Sequence, residues 1–133
     1  MSTILESVGA YLQAGSFGTA GTNIFYGVLP ESPDLCLGVF EYEGLTPMFT
    51  MGTAGIMVDK PAVQILVRAT RDDYVTGRDK ADNVRKYLSS VANTTLSGIK
   101  VLRLEPTGSV NPLGVDKNSR PLFSVNFRCH VEL

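Results

Sequence analysis

Tryptophan is absent from this 133-residue chain, histidine occurs once and cysteine twice. Each scarcity closes off a class of chemistry. With His130 as the single histidine, a metal site would need clustered carboxylates, and the sequence shows no such cluster. Cys36 and Cys129 lie far apart in strand-like segments, without the C-x-x-C spacing of a zinc or redox motif. They are expected to be buried, unreactive thiols, suited to a reducing cytoplasm. There is no phosphate-binding P-loop, no G-x-S-x-G elbow and no H-E-x-x-H helix, so no cofactor is expected. Charge is also scarce and balanced: 12 basic residues against 13 acidic ones, a net charge of −1. A surface that grips polyphosphate needs clustered excess Lys and Arg, which is missing here. No apolar run approaches the roughly 18 residues of a membrane span. The N-terminus has neither the basic opening nor the apolar core of a signal peptide. The expectation is a soluble protein with no membrane contact.

The length fits one domain, since domains run to roughly 100–150 residues. A chain of this size buries roughly two-thirds of its unfolded surface and folds without staples. Residues 1–133 are therefore expected to form a single domain. Charged residues make up 19% of it and apolar ones 44%, against about 25% charged in typical soluble domains. A small domain with so little charge exposes neutral or apolar surface somewhere. Either this is compositional scatter, or other subunits cover part of the surface as at an obligate interface.

Along the chain, Thr3 and Glu6 form a T-x-x-E capping box. Ile4, Val8, Tyr11 and Leu12 then share one face of a helix over residues 3–12. Gly15, Gly18 and Gly21 follow a helix instead of a strand, which removes them from any dinucleotide fingerprint and leaves a linker. Residues 23–29 read as a strand, closed by Pro30 and Pro33. Residues 34–42 (DLCLGVFEY) are apolar on both faces and read as a central strand, ended by Gly44 and Pro47. Residues 47–60 carry Met48, Phe49, Met51, Ile56 and Met57 around Gly52 and Gly55, the pattern of a hairpin with a glycine-rich tip. Two readings stand open for it: side chains tucked over the core edge, or an arm packed on a neighbouring subunit.

Residues 62–70 alternate as a strand, and Asp72 and Asp73 place negative charge at the start of the next helix. That helix runs over residues 74–91 with a stripe of Ala81, Val84, Leu88 and Val91. Its outer face mixes Arg78, Lys80, Asp82, Arg85 and Lys86, as a solvated face does. A strand at 99–105 follows the turn at Ser97 and Gly98. Residues 106–121 read as a loop, too long for a plain connector. From Leu122 onward, Phe123, Val125, Phe127, Cys129, Val131 and Leu133 alternate with Ser124, Asn126, Arg128, His130 and Glu132, a long half-buried antiparallel strand. Pairing of sequence neighbours over 24–42 and 99–133 is expected to be antiparallel. The fold class is α+β: two layers, a mostly antiparallel sheet with an N-terminal helix and a long central helix on one face.

Raw material for catalysis is thin. His130 has Glu132 two residues away on the same strand face, which suits an exposed strand better than a site. Asp72, Asp73 and Asp79 are explained by helix capping and solvation. The polar face of the last strand offers Arg128 but no aromatics, against an RNA- or DNA-binding sheet.

Three stretches, taken in order, resemble the minor capsid and tail-terminator family of tailed bacteriophages. The first is IFYG at 24–27 with Leu29, Pro30 and Pro33, leading into CLGVFEY at 36–42. The second is PAVQILVR at 61–68 with Asp73, Tyr74 and the long helix. The third is LGVD at 113–116 with RPLFSVNF at 120–127. The resemblance implies a tail-terminator-like α+β subunit in a hexameric ring at the head-proximal end of the tail. Such a ring stops tube polymerisation and offers a docking face to the neck, with no substrate turned over. The implied partners are copies of the chain, the tail tube protein and a neck or head-completion protein, with DNA passing through the lumen without specific binding. The implied location is the virion, after assembly in the host cytoplasm. A near-neutral chain suits a DNA conduit, because a strongly basic lumen would grip phosphates.

On this reading Met48, Phe49, Met51, Ile56 and Met57 make subunit contacts, together with a strand edge at 23–29 or 122–133. The 106–121 loop faces the lumen or the adjoining ring, with Asp116, Lys117 and Arg120 as its polar contacts. The alternative within the structural class is a head-completion or connector protein on the portal side of the neck. Further off stands a small ligand-binding or enzymatic α+β module near His130.

Overall fold

The computed structural model describes residues 4–49 and 56–132. In chain order these form α1 (Ile4–Ala14), β1 (Ile24–Tyr26), β2 (Cys36–Phe49), β3 (Ile56–Arg68), α2 (Tyr74–Ser89), β4 (Ala92–Leu96), β5 (Ile99–Pro106), β6 (Asn111–Val115) and β7 (Pro121–Glu132). The strands make one curled sheet in the order β1-β2-β3-β7-β5-β4, with β6 beside the remaining part of β7. The fold class is α+β, mostly antiparallel, as the sequence pattern requires.

Period-two alternation places the core. Phe123, Val125 and Phe127 on β7 stand opposite Val67, Ile65 and Val63 on β3. Val67 and Ile65 in turn face Leu37 and Val39 on β2. Together these rows make an apolar floor, fully buried. Ile4, Val8 and Leu12 of α1 and Ala81, Val84 and Leu88 of α2 close over it, with Val91 beyond the helix end. Burying each such side chain contributes roughly 1.5–3 kcal/mol. The two helices also touch each other. Tyr11 and Tyr87 stack with ring centroids 4.5 Å apart, and the Tyr87 hydroxyl donates to the Tyr11 carbonyl at 3.0 Å.

At the start of α2 the Asp73 carboxylate accepts the Thr76 N–H at 3.3 Å and so caps the helix. Asp72 instead takes a left-handed turn conformation, φ 59°. The expected capping residue of α1, Thr3, lies outside the described residues. On the outer face of α2, Asp82 gathers Arg85 at 3.0 Å, Lys86 at 3.0 Å and Arg78 at 3.9 Å. The hydrogen bonds from Lys86 and Arg85 hold its carboxyl below the usual range.

Several expectations need correction. β1 runs parallel to β2, not antiparallel, with Ile24 opposite Leu37 and Tyr26 opposite Val39. A three-residue strand is short enough for the 27–35 connection to return to its starting level without a helical crossover. Gly44 and Pro47 do not end β2, which continues to Phe49. Register shifts between Tyr42 and Leu45 and again before Met48 absorb them as bulges. β3 likewise begins at Ile56 and passes through Pro61, which lies between the Tyr42–Ala62 and Leu45–Lys60 pairs where the register shifts. Strand β4 was not anticipated; a two-residue turn at Ser97 and Gly98, both at positive φ, joins it to β5. The 106–121 segment is not all loop, since β6 within it pairs with β7. Finally, β7 is an interior strand between β3 on one side and β5 and β6 on the other, so residues 122–132 offer no sheet edge.

Candidate docking surface

At one end of the sheet two buried arginines organise the connecting loops. Arg68 ends β3, and its guanidinium donates to the Pro30 carbonyl at 2.5 Å, the Pro33 carbonyl at 2.7 Å and the Asp34 carbonyl at 3.0 Å. Arg120 stands just before β7, where its cation meets Asp116 at 2.8 Å, Asp34 at 3.1 Å and Glu31 at 3.3 Å. Its Nη1 also donates to the Glu31 carbonyl at 2.6 Å. The 27–35 connection is thus pinned by two planar forks whose donors match several acceptors at once.

The 116–120 turn builds itself around one carboxylate. Asp116 Oδ1 accepts the Asn118 N–H at 2.9 Å and the Arg120 N–H at 3.0 Å, an Asx-type turn. Partial burial pushes the Asp116 carboxyl up. The backbone N–H groups of Arg120 and Asn118 and the Arg120 side chain outweigh this, and the net shift is down. Burial also works against the Arg120 cation, while bonds to Asp116 and Asp34 more than offset it. Asn118 reaches across to the Glu31 carboxylate at 2.6 Å. Glu31, Asp34, Arg71, Lys117, Asn118, Ser119 and Arg120 together frame a shallow cleft of about 430 Å³. Its rim carries both signs of charge, which suits docking of another polar protein surface better than capture of a polyanion.

The three loop residues singled out from sequence therefore differ in their surroundings. Asp116 and Arg120 are bound to each other inside the subunit, whereas Lys117 stands exposed on the rim. Sequence reasoning missed Glu31, Asp34 and Arg68 as parts of this assembly. Two acids in the proline-bounded stretch PESPD were the available signal, because such a turn needs outside donors to fix it.

Of the hairpin residues, Met48 and Phe49 close β2 and Ile56 and Met57 open β3, with Phe49 opposite Ile56. Met51 lies outside the described residues. His130 pairs not with Glu132 but with Glu105 across the β5–β7 ladder, at 3.3 Å; Glu132 pairs with Lys100 at 3.2 Å. Cys36 and Cys129 are buried free thiols, and burial pushes the Cys129 thiol up to about 12. Among the described residues no group of His, Cys, Asp and Glu is placed to hold a metal ion, and no helix is long and apolar enough to cross a membrane.

A family model described as bacteriophage tail terminator protein matches residues 11–133. Among solved structures, the chain is similar to one from the virion of a native gene transfer agent particle. Identity there is 18% and the TM-score 0.63, over 98% of this chain and 95% of that one. A second solved chain is 10% identical with a TM-score of 0.55, over 98% and 91%. No functionally curated protein matches the sequence.

Proposed function

This chain belongs to the bacteriophage tail terminator family, and from that premise we propose that it closes the head-proximal end of a phage tail as a ring of six copies. Membership makes it a structural protein of the virion, at the tail or neck. The family match over residues 11–133 is the observation that carries the finer reading. On that reading residues 1–133 act as one tail-terminator domain that ends growth of the tube and joins it to the head. Its partners are its own copies, the tail tube protein and a neck or head-completion protein.

Two physical features support a ring. Head-to-tail contacts that close on rotation generate rings, and a chain with 19% charged residues has neutral surface to commit to such contacts. The 47–60 hairpin, with Met48, Phe49, Met51, Ile56 and Met57, supplies one side of the subunit contact. The edge strand β1, which among the described strands pairs with β2 and is bridged at Ile24 to Ala20, is a further contact line. The turn around Asp116, Lys117 and Arg120 docks the next ring, with Arg120 and Asp116 fixing its shape and Lys117 making the outward contact. DNA passes through the lumen unread, because a net charge of −1 provides no excess of cations to release counterions from phosphate.

Particles assembled without this chain test the reading directly. The expected result is headless tails of uncontrolled length, seen by electron microscopy. Tails of normal length joined to heads would overturn it. Sedimentation of the protein is expected to show a species near six times 14.4 kDa, about 86 kDa.

A further inference from the structure

Six large apolar side chains stand out in solvent among the described residues, and four of them belong to two elements, the start of α2 and strand β6. Tyr74 and Val75 open α2, 51% and 68% exposed, and Leu113 and Val115 lie on β6, 46% and 62% exposed. Both elements adjoin Phe123 of β7. The Tyr74 ring meets it edge-on with centroids 5.0 Å apart. Pro112 is its partner across the β6–β7 ladder, and Val115 pairs with Pro121 two residues back on the same face. Single exposed apolar residues are ordinary, but a cluster marks a contact surface. Among the described strands β6 pairs with β7 alone, so its outer edge adds backbone groups free of any described strand to the same place.

The opposite end of the sheet presents what this patch lacks. Arg68 pairs with Leu122 at the patch end, and Val58 pairs with Glu132 at the other. Ten residues of strand separate these pairs, roughly 30 Å. Beyond Val58 lies the Phe49–Ile56 pair of the β2–β3 hairpin, where the sheet has narrowed to two strands. A two-stranded ribbon is marginally stable alone and needs a surface to lie on. The sequence from Gly44 to Val58 contains no charged residue, so it brings no charge to be stripped of water on an apolar surface. The described ends of the arm, Phe49 and Ile56, lie at the far end of the strands from the same subunit's patch.

We propose that the patch of Tyr74, Val75, Leu113 and Val115 receives the β2–β3 hairpin arm of a second copy of this chain. The inference rests on the ring reading and names its contact: donor and acceptor lie at opposite ends of one subunit, the heterologous arrangement that closes into a ring.

Thiol cross-linking between two tagged preparations tests it, since the native cysteines are buried. One preparation carries Met48→Cys on the arm and the other Val75→Cys on the patch. Mixed under assembly conditions and treated with a short bismaleimide, they are expected to give a heterotypic dimer. A chain carrying both substitutions is expected to give a ladder up to six. Rings that sediment normally in both preparations but yield no heterotypic product overturn the proposal while leaving the ring reading intact. A wild-type chain that is monomeric at every concentration overturns the ring reading itself. As a second readout, Val115→Glu is expected to weaken assembly at least tenfold with unchanged circular dichroism. Asn83→Glu, at an exposed position on the outer face of α2 away from the patch, is expected to assemble normally. The reverse pattern would move the contact elsewhere.

Discussion

Gly77 of α2 lies so close to Phe123 of β7 that a Cβ at position 77 would stand 2.8 Å from the edge of the aromatic ring and 2.6 Å from the Ala69 Cβ. The helix backbone thus rests directly on the sheet at the point where Phe123 supports the exposed Tyr74. Gly77→Ala weighs two opposed effects. Alanine gains up to about 1 kcal/mol of helix propensity, whereas overpacking a core costs about 1–3 kcal/mol. Ala69 has no rotamer through which to yield, so overpacking wins. The expected outcome is a net loss of about 1–2 kcal/mol by urea denaturation. A more stable variant would show that the helix can lift without cost.

Arg68 carries the anchoring of the 27–35 connection, because its one buried guanidinium serves three carbonyls of that connection at once. Arg68→Ala leaves those acceptors without the fork and is expected to cost about 3 kcal/mol, the scale of lost bonds to a charged donor. Arg68→Lys keeps the charge but cannot span three acceptors in one plane, and an intermediate loss is expected. Thermal unfolding of both variants checks the ranking. Equal losses would mean that charge, not geometry, holds the loop.

The turn at Asp116 makes stability depend on acidity. Its folded-state pKa is depressed below the ordinary value of 3.8, so the unfolded chain takes up the proton first as pH falls. The stabilisation is therefore fully present above about pH 5. It fades as pH drops through the unfolded value toward the folded one. Asp116→Asn is expected to be less stable than wild type at pH 7, with the difference shrinking steadily as the solution is made strongly acid. A gap that stays constant between these extremes would assign the effect to hydrogen-bond geometry alone.

Where hydrophobic periodicity was strong, the architecture was legible: the β7 alternation, the β3 alternation and the Ala81–Val84–Leu88 stripe all became buried faces. Strands β4 and β6 were not legible, for a shared reason. ANTTL and NPLGV lack alternation, and their residues are mostly exposed, so nothing in burial writes a period into the sequence. They are strands because a neighbour offers hydrogen bonds, a non-local fact. The Arg120 cluster was half legible for the same reason. Asp116 and Arg120 are four residues apart, but Glu31 and Asp34 are brought in only by the fold.

Ser124 offers a test of polar satisfaction in the core. Its hydroxyl is fully buried without a hydrogen-bond partner among the described residues, so the side chain carries a desolvation cost that alanine would not. Ser124→Ala is expected to raise stability by up to about 1 kcal/mol, read as a higher denaturation midpoint. A destabilised variant would indicate a bound water bridging the hydroxyl.

The neighbouring residues Lys117 and Arg120 separate docking from folding. Lys117 is exposed on the cleft rim and Arg120 is almost wholly buried, so their variants should fail in different ways. Lys117→Glu reverses a rim charge without removing an internal bond, and surface changes of this kind stay within about 0.5 kcal/mol. Its thermal midpoint is expected to match wild type, while joining of heads to tails falls at least several-fold in an assembly assay. Arg120→Ala instead strands Asp116, Asp34 and Glu31 around an emptied site and is expected to lower the midpoint by roughly 5 °C, with joining impaired as a consequence. Added salt should weaken joining by the wild-type protein, because rim charges act through a screened field. Normal joining by Lys117→Glu would place the docking contact away from this cleft, and an unshifted midpoint for Arg120→Ala would remove the cluster as the organiser of the turn.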